Sequence, residues 1–349
     1  MRLAIDVMGG DHAPDAILKG CVAGSEHLES GDRLVLIGPK GLIEETLRER
    51  KVLDDPRFEI IDAPEVIGMH ESPTASVRSK KNSSIVQMAR LGSPKATDAD
   101  RCDAVISAGN TGACVAAAQM NMKRLRGVHR PGIAVTIPAF HGPVVLCDGG
   151  ANPEPRGSHL WQYGVMSEVY AHHALGIENP RVGLMNVGAE EGKGSGIVKQ
   201  AHELLKGTPG LNYIGFVEGR DFFAGAADVI VTDGFTGNTV LKMAEGLAKS
   251  LFQAIAAEIF EHDPKLAMQF EPIVKSIYKK NDYHEMGGAP LLGVNGAMFI
   301  CHGSSEARTI AAAIRNARQA VNAHVNDAII ARLAEVESVD PASRQGEPA

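Results

Sequence analysis

The sequence predicts an α/β fold built on a mainly parallel, covered sheet, and three observations lead there. Apolar strand-like runs alternate with amphipathic helical stretches over most of the chain. Gly-rich turns follow or precede those runs at five places. Hydrophobic residues make up 44% of 349 residues, enough for a large buried core.

Taken in order, residues 2–7 read as a buried strand, 15–28 as a helix, 33–37 as a strand, 41–51 as a helix and 58–61 as a strand. Residues 72–91 read as one polar helix, with Pro73 near its start, where proline is tolerated. Then follow a strand at 104–107, a helix at 111–123, strands near 133–137 and 144–146, and a helix at 158–175. Strands at 182–185, 213–217 and 229–231, with a helix near 197–205, continue the pattern. The alternation implies βαβ units.

Two stretches break it. Residues 239–280 carry no strand signal and read as an insertion of two helices, the second capped by Asp263, with Pro264 behind it, and closed by Lys279 and Lys280. Residues 1–330 are expected to form a single domain, and residues 331–349 a polar, disordered tail.

Composition removes several function classes. Thirty-five Lys and Arg against 42 Asp and Glu give a formal charge of −7, which argues against general nucleic-acid binding. The N-terminal apolar stretch is too short for a signal peptide, and no run is long and charge-free enough to span a bilayer. Cys21, Cys102, Cys114, Cys147 and Cys301 are odd in number and scattered, so neither a disulfide framework nor a Cys-based zinc site is expected. The pair His172-His173 reads as helix surface with one partly buried ring rather than as a metal site.

The Gly-rich turns carry the chemistry. They are SAGNTGA (107–113), DGGAN (148–152), NVGAEEGKG (186–194), TDGFTGN (232–238) and GGAPLLGV (287–294). In open α/β sheets, ligands bind beyond the carboxyl ends of the strands, so five such turns can build one pocket. SAGNTGA offers backbone N–H groups at a strand-to-helix junction together with Asn110, Thr111 and Gly112, but no Walker lysine, so a nucleotide is not indicated. Lys193 can neutralise a phosphate or merely pair with Glu190 or Glu191. Asp233 and Thr236 are ordinary helix caps or ligand contacts, and Asn238 has less of a structural excuse. Asp148 either positions a reacting group or closes an Asx turn. His302, before Gly303, either polarises a substrate or helps end a strand.

Ten motifs in order extend from DVMGGDHAP (6–14) through ESPTASVRSKKNSS (71–84), SAGNTGA, GVHRP (127–131), DGGAN, NVGAEEGKG, VEGRD (217–221), TDGFTGN and GGAPLLGV to HGSS (302–305). Their text and order closely resemble the bacterial phosphate acyltransferases of phospholipid synthesis. Ala189 and Gly149 depart from the family pattern, where a glutamate and an apolar residue are usual.

The resemblance implies a three-layer α/β/α fold like that of phosphotransacetylases and isopropylmalate dehydrogenases, and reversible transfer of a long-chain acyl group from acyl-carrier protein to inorganic phosphate. It implies no cofactor and no metal, a homodimer, and a product destined for a membrane glycerol-3-phosphate acyltransferase. The expected location is the cytoplasm, with peripheral contact at the inner face of the cell membrane. Lys193, Asn238 and His302 are the catalytic candidates. Asn110, Thr111, Gly112, Asp148, Asn152, Asp233, Gly287 and Gly288 are candidates for holding phosphate or substrate, and Lys123, Arg124, Arg126 and Arg130 for docking the carrier protein.

The rival readings are a phosphate acetyl- or butyryltransferase using coenzyme A, and a non-catalytic carrier-protein or membrane adaptor. An acyl-cysteine route through Cys147 or Cys301 is disfavoured, because strand neighbours point to opposite faces and both thiols read as core.

Overall fold

A computed structural model describes residues 1–139, 141–262, 264–280 and 286–339. The chain runs β1 (Arg2–Asp6), α1 (Asp15–Gly24), β2 (Arg33–Gly38), α2 (Lys40–Glu49), β3 (Phe58–Asp62), α3 (Pro73–Ser79), α4 (Ser84–Leu91), β4 (Ala104–Ser107), α5 (Thr111–Ala117), β5 (Gly132–Ile133) and β6 (Val135–Ala139). It continues with β7 (Gly142–Cys147), α6 (Gly157–His173), β8 (Val182–Met185), α7 (Gly196–Lys206), β9 (Tyr213–Val217), β10 (Val229–Val231), α8 (Gly234–His262), α9 (Pro264–Lys280), β11 (Ala289–Leu292), β12 (Ala297–Ile300), α10 (Ala307–Asn322) and α11 (Val325–Val339).

The strands form two sheets, ordered β3-β2-β1-β4-β12-β11-β5 and β6-β7-β10-β8-β9. Seven of the ten strand pairings among the described residues are parallel, as expected from the βαβ pattern. The stretch expected as one strand near 133–137 is in fact two. Ile133 pairs antiparallel with Leu291 in one sheet and Val135 with Leu146 in the other, so Ala134 is the junction between lobes.

One core cluster runs through both lobes. It joins Leu3, Ile5 and Phe299 of the larger sheet to Val145, Val182 and Val229 of the smaller one. Helix α6 lies at its centre, with buried residues all round its axis from Gly157 to Ala171, as a helix enclosed by protein requires. Its end carries His172 and His173, both exposed.

Three local expectations are corrected. The helix foreseen over 72–91 breaks after Ser79, because Lys80 leaves helical geometry to donate to the Val66 carbonyl (2.7 Å) and the Glu71 carboxylate (2.6 Å). The helix foreseen over 111–123 is α-helical only to Ala117, then forms a π-helical turn that Lys123 ends at φ 70°. The ordered chain also passes residue 330: α11 continues through residues 331–339, with Leu333 and Val336 buried, while residues 340–349 lie outside the described ones.

The two helices expected over 239–280 are present as α8 and α9, which pack on each other, and α8 begins earlier, at Gly234. The expected cap Asp263 lies outside the described residues. Among the described residues no helix is long and apolar enough to cross a membrane.

Candidate active site

Parallel register brings the motif-bearing turns to the carboxyl edges of the two sheets. In the larger sheet β1, β4 and β12 are neighbours, with Ile5 beside Ile106 and Ser107 beside Ile300. The turns after them therefore meet: the Asp11 amide donates to the Gly303 carbonyl at 2.7 Å. In the smaller sheet Cys147, Val231 and Leu184 are aligned, which gathers the turns after β7, β10 and β8.

Asn110 caps α5. Its Oδ1 accepts from the Ala113 amide (3.0 Å), while its Nδ2 donates to the carbonyls of Gly68, Met69 and Glu71 at 3.0–3.2 Å. That side chain is committed to shape, and what remains open at the helix start is the exposed pair Thr111 and Gly112. The segment it clamps is braced by Glu71, which accepts from the Gly68 amide, Ser76 and Lys80; the Lys80 ammonium holds the Glu71 carboxyl down to about 2.

His302 opens the turn after β12 and is exposed. Its Nδ1 lies 2.7 Å from Ser304 Oγ and accepts from the Ser304 amide at 3.3 Å. In the neutral ring that leaves the proton on Nε2. Gly288 stands beside Cys301 at the same edge, and Gly287, at φ +71°, lies against the backbone of Ala312 and Ala313 in α10. The glycine pair is thus tied to packing beside His302.

Asp148 resolves one open reading. Its fully buried carboxylate accepts from the amides of Ile133 (3.0 Å), Gly150 (3.1 Å) and Ala151 (2.9 Å) through Oδ1, and from the amide (2.7 Å) and Nδ2 (3.1 Å) of Asn152 through Oδ2. Burial pushes the carboxyl up, yet all five partners are donors, so this geometry accommodates the ionised form. Asn152 donates its second amide hydrogen to the Pro131 carbonyl at 2.7 Å. Together they bind the turn of one sheet to β5 of the other.

The turn also seats α8. A Cβ on Gly237 would stand 2.0 Å from the Asp148 carbonyl oxygen, so only glycine permits that approach. Asp233 caps the helix, accepting from the amide (2.8 Å) and hydroxyl (2.7 Å) of Thr236. Asn238, one turn on, is exposed and lies over Gly150, whose ideal Cβ position is 3.5 Å from Asn238 Cβ. At Gly149, the space an apolar side chain would take is filled by Val135 Cγ2, 2.5 Å from the ideal Cβ position.

Lys193 lies on the turn between β8 and α7, and its ammonium bonds Glu190 at 2.8 Å, with both side chains largely exposed. Asn186 at the base of that turn donates to the carbonyls of Gly188 (3.0 Å) and Lys193 (3.4 Å), fixing the backbone that carries the lysine. A cavity of about 660 Å³ opens between residues 153–155 and the turns after β8 and β10; Gly194, the residue after Lys193, and Phe235 and Thr236, on the first turn of α8, are in its wall.

Lys193 and His302 therefore sit on the segments after β8 and β12, and Asn238 on the first turns of α8 after β10, two in the smaller lobe and one in the larger. Lys123, Arg124, Arg126 and Arg130 are all exposed, and the segment leads directly into Pro131, which Asn152 holds. All five cysteines are buried; burial raises Cys301 to about 12 and holds Cys147 well above the ordinary thiol value, so neither is poised as a thiolate nucleophile.

Sequence reasoning missed Asp6, which is buried at the end of β1, is raised by that burial and accepts from Ser107 Oγ at 2.7 Å, while that hydroxyl accepts from the Gly109 amide. It also missed Asn186. The available signal was the same for both: a polar residue closing an apolar strand.

A family model described as "Fatty acid synthesis protein" matches residues 1–328. The chain is similar to the phosphate acyltransferase of Heliobacterium modesticaldum, 45% identical over 323 residues, which covers 92% of this chain and 94% of that one. It is 44% identical over 333 residues to the phosphate acyltransferase of Syntrophotalea carbinolica, covering 95% and 93%. Among solved structures it resembles a phosphotransacetylase from Streptococcus pyogenes (TM-score 0.59, 17% identity, 92% and 94% covered) and a branched-chain phosphotransacylase from Enterococcus faecalis (TM-score 0.54, 11% identity, 92% and 99% covered). At those identities the structures speak to fold alone. The relatives, aligned over nearly the whole chain at more than two residues in five identical, go further: the chain belongs to the phosphate acyltransferase family.

Proposed function

We propose that the protein reversibly transfers a long-chain fatty acyl group from the thiol of acyl-carrier protein to inorganic phosphate, giving the acyl phosphate that begins glycerophospholipid synthesis. The observation that carries this reading is that the segments following the neighbouring strands β8 and β10, which bear Lys193 and Asn238, wall a ligand-sized cavity.

Phosphate is already anionic at neutral pH, so catalysis needs alignment and charge neutralisation more than a strong base. Lys193, released from Glu190, and the amides of Thr111 and Gly112 hold phosphate. A phosphate oxygen attacks the thioester carbon, and Asn238 with His302 Nε2–H donates to the developing oxyanion or the departing sulfur. The carbon–sulfur bond then breaks, and the departing thiolate takes up the proton that hydrogen phosphate gives up, leaving acyl phosphate and free thiol. Asp148, Asn152 and Asp233 act through the turns they hold.

The exposed basic segment bordering the Asn152 turn supports docking of an acidic carrier protein there. The α8–α9 hairpin supports association. Met243, Leu247, Leu251, Ile255, Phe260, Met268, Phe270, Ile273 and Ile277 are all 40% exposed or more, a larger apolar display than a solitary soluble surface sustains. A homodimer contact and reversible attachment to the inner face of the cell membrane both use such a surface, and attachment eases transfer of the product to a membrane glycerol-3-phosphate acyltransferase. The protein otherwise works in the cytoplasm.

Thiol release from acyl-carrier protein and from acyl-coenzyme A, with and without phosphate, tests the reading. Phosphate-dependent release confined to the carrier protein is expected. Preference for short-chain coenzyme A esters would favour an acetyl- or butyryltransferase, and no phosphate dependence would favour an adaptor.

A further inference from the structure

The cavity bordered by Gly194 is lined mainly by hydrocarbon. Leu160 and Leu184 are buried in its wall, and its mouth is ringed by Val187, Ile197 and Phe235, which are 79%, 41% and 69% exposed. Three large apolar side chains left in water around one opening mark a surface that is covered during function. The polar lining is the smaller part of the wall: Asp233 is occupied with Thr236, the Asn186 amide with the carbonyls of Gly188 and Lys193, and Ser195 Oγ with the Val198 amide, while Glu154 is exposed. Water in such a space would find few partners.

Position ties the cavity to the reacting groups. Gly194, in its wall, follows Lys193 directly, and Phe235 and Thr236 precede Asn238 on the first turn of α8. The same two segments thus carry the proposed reacting groups and wall the cavity. A volume of about 660 Å³ lies within the ~300–1,000 Å³ usual for small-molecule sites.

We infer that this cavity receives the hydrocarbon chain of the acyl donor and gauges its length, with Ile197, Val187 and Phe235 as the specificity-determining side chains at its mouth. This inference rests on the acyl-transfer reading above. Each methylene buried there strengthens binding roughly fourfold, so denying room to three of them costs about fiftyfold.

Ile197→Trp places an indole at the mouth from the exposed start of α7, where folding is not at risk. The readout is the ratio of kcat/KM for long-chain to short-chain acyl donors in phosphate-dependent thiol release. The ratio is expected to fall about fiftyfold. An unchanged ratio, with or without an equal loss at both lengths, would overturn the inference and favour the pantetheine arm or phosphate as occupant. A fluorescent long-chain fatty acid, titrated without phosphate or carrier protein, separates this claim from the activity. Ile197→Trp is expected to weaken its binding and Lys40→Gln, at the exposed start of α2, to leave it intact. If wild type fails to cleave thioester but the probe behaves so, the proposed reaction falls and the cavity assignment stands; probe binding that Ile197→Trp does not weaken overturns the assignment itself.

Discussion

Replacing Asp148 by asparagine keeps the shape of the side chain and changes only what one of its two terminal atoms can accept. The amide oxygen can serve the three-donor side, toward Ile133, Gly150 and Ala151. The new NH₂ group then faces two donors, the backbone amide and Nδ2 of Asn152. Turning the amide over is worse, since it would set three donors against the NH₂. Each buried donor left unmet costs roughly 1–3 kcal/mol, and Asn152 Nδ2 keeps the Pro131 carbonyl, so the net loss is about 2–4 kcal/mol. That is a large share of the ~5–15 kcal/mol that holds a typical domain together. Urea unfolding of Asp148→Asn should show the lower midpoint with little change in slope. A loss below about 0.5 kcal/mol, within the range of ordinary surface substitutions, would refute the structural role. If activity vanished at the same time, Asp148 would belong to the reacting centre instead.

Three further outcomes follow from particular contacts. Glu71 is held at about 2, below the usual 4.5, so its stabilising contribution is complete above the ordinary carboxylate value and is lost as pH falls toward 2. Glu71→Gln should therefore flatten the acid limb of a urea-midpoint against pH curve, and an unaltered limb would discount the Lys80 pair. Arg124→Glu with Arg126→Glu should raise KM for acyl-carrier protein and reduce its salt dependence, as loss of electrostatic steering requires, with unchanged values moving the docking site elsewhere. Leu251→Glu and Phe270→Glu should abolish flotation with anionic liposomes or lower the dimer mass; if neither property moves, the exposed hairpin serves neither association.

The alternation of strand and helix was readable because burial of both sheet faces leaves continuous apolar runs such as 182–185 and 229–231. The split into two sheets was not readable, because it depends on Ile133 and Val135 choosing partners more than a hundred residues apart in one case and eleven in the other. Local sequence carries no mark of that choice. The break at Lys80 likewise depends on Val66 and Glu71, outside any helical period.

At the candidate site, the turns were legible from their glycines, but the duties of their polar residues were not. Asp148 read as either a positioning group or a turn former and Asn152 as a substrate contact; the sequence did not show the donors and the Pro131 carbonyl that they engage. Asp6 and Asn186 carried the same pattern, a polar residue ending an apolar strand, and each was passed over as the first residue of its motif. Asn238 and Lys193 are exposed, and the Lys193 ammonium is held by a surface pair with Glu190, so neither is committed to the core.

Transfer of radiolabelled inorganic phosphate into acyl phosphate, followed for the wild type and for Lys193→Ala and Asn238→Ala with long-chain acyl-carrier protein at saturating phosphate, tests the central claim most directly. The account predicts labelled acyl phosphate from the wild type and rates about 100- to 1,000-fold lower from each folded variant, the usual consequence of deleting one preorganised charge or oxyanion donor. Thioester cleavage without label in the product, or near-normal transfer by either variant, would contradict it.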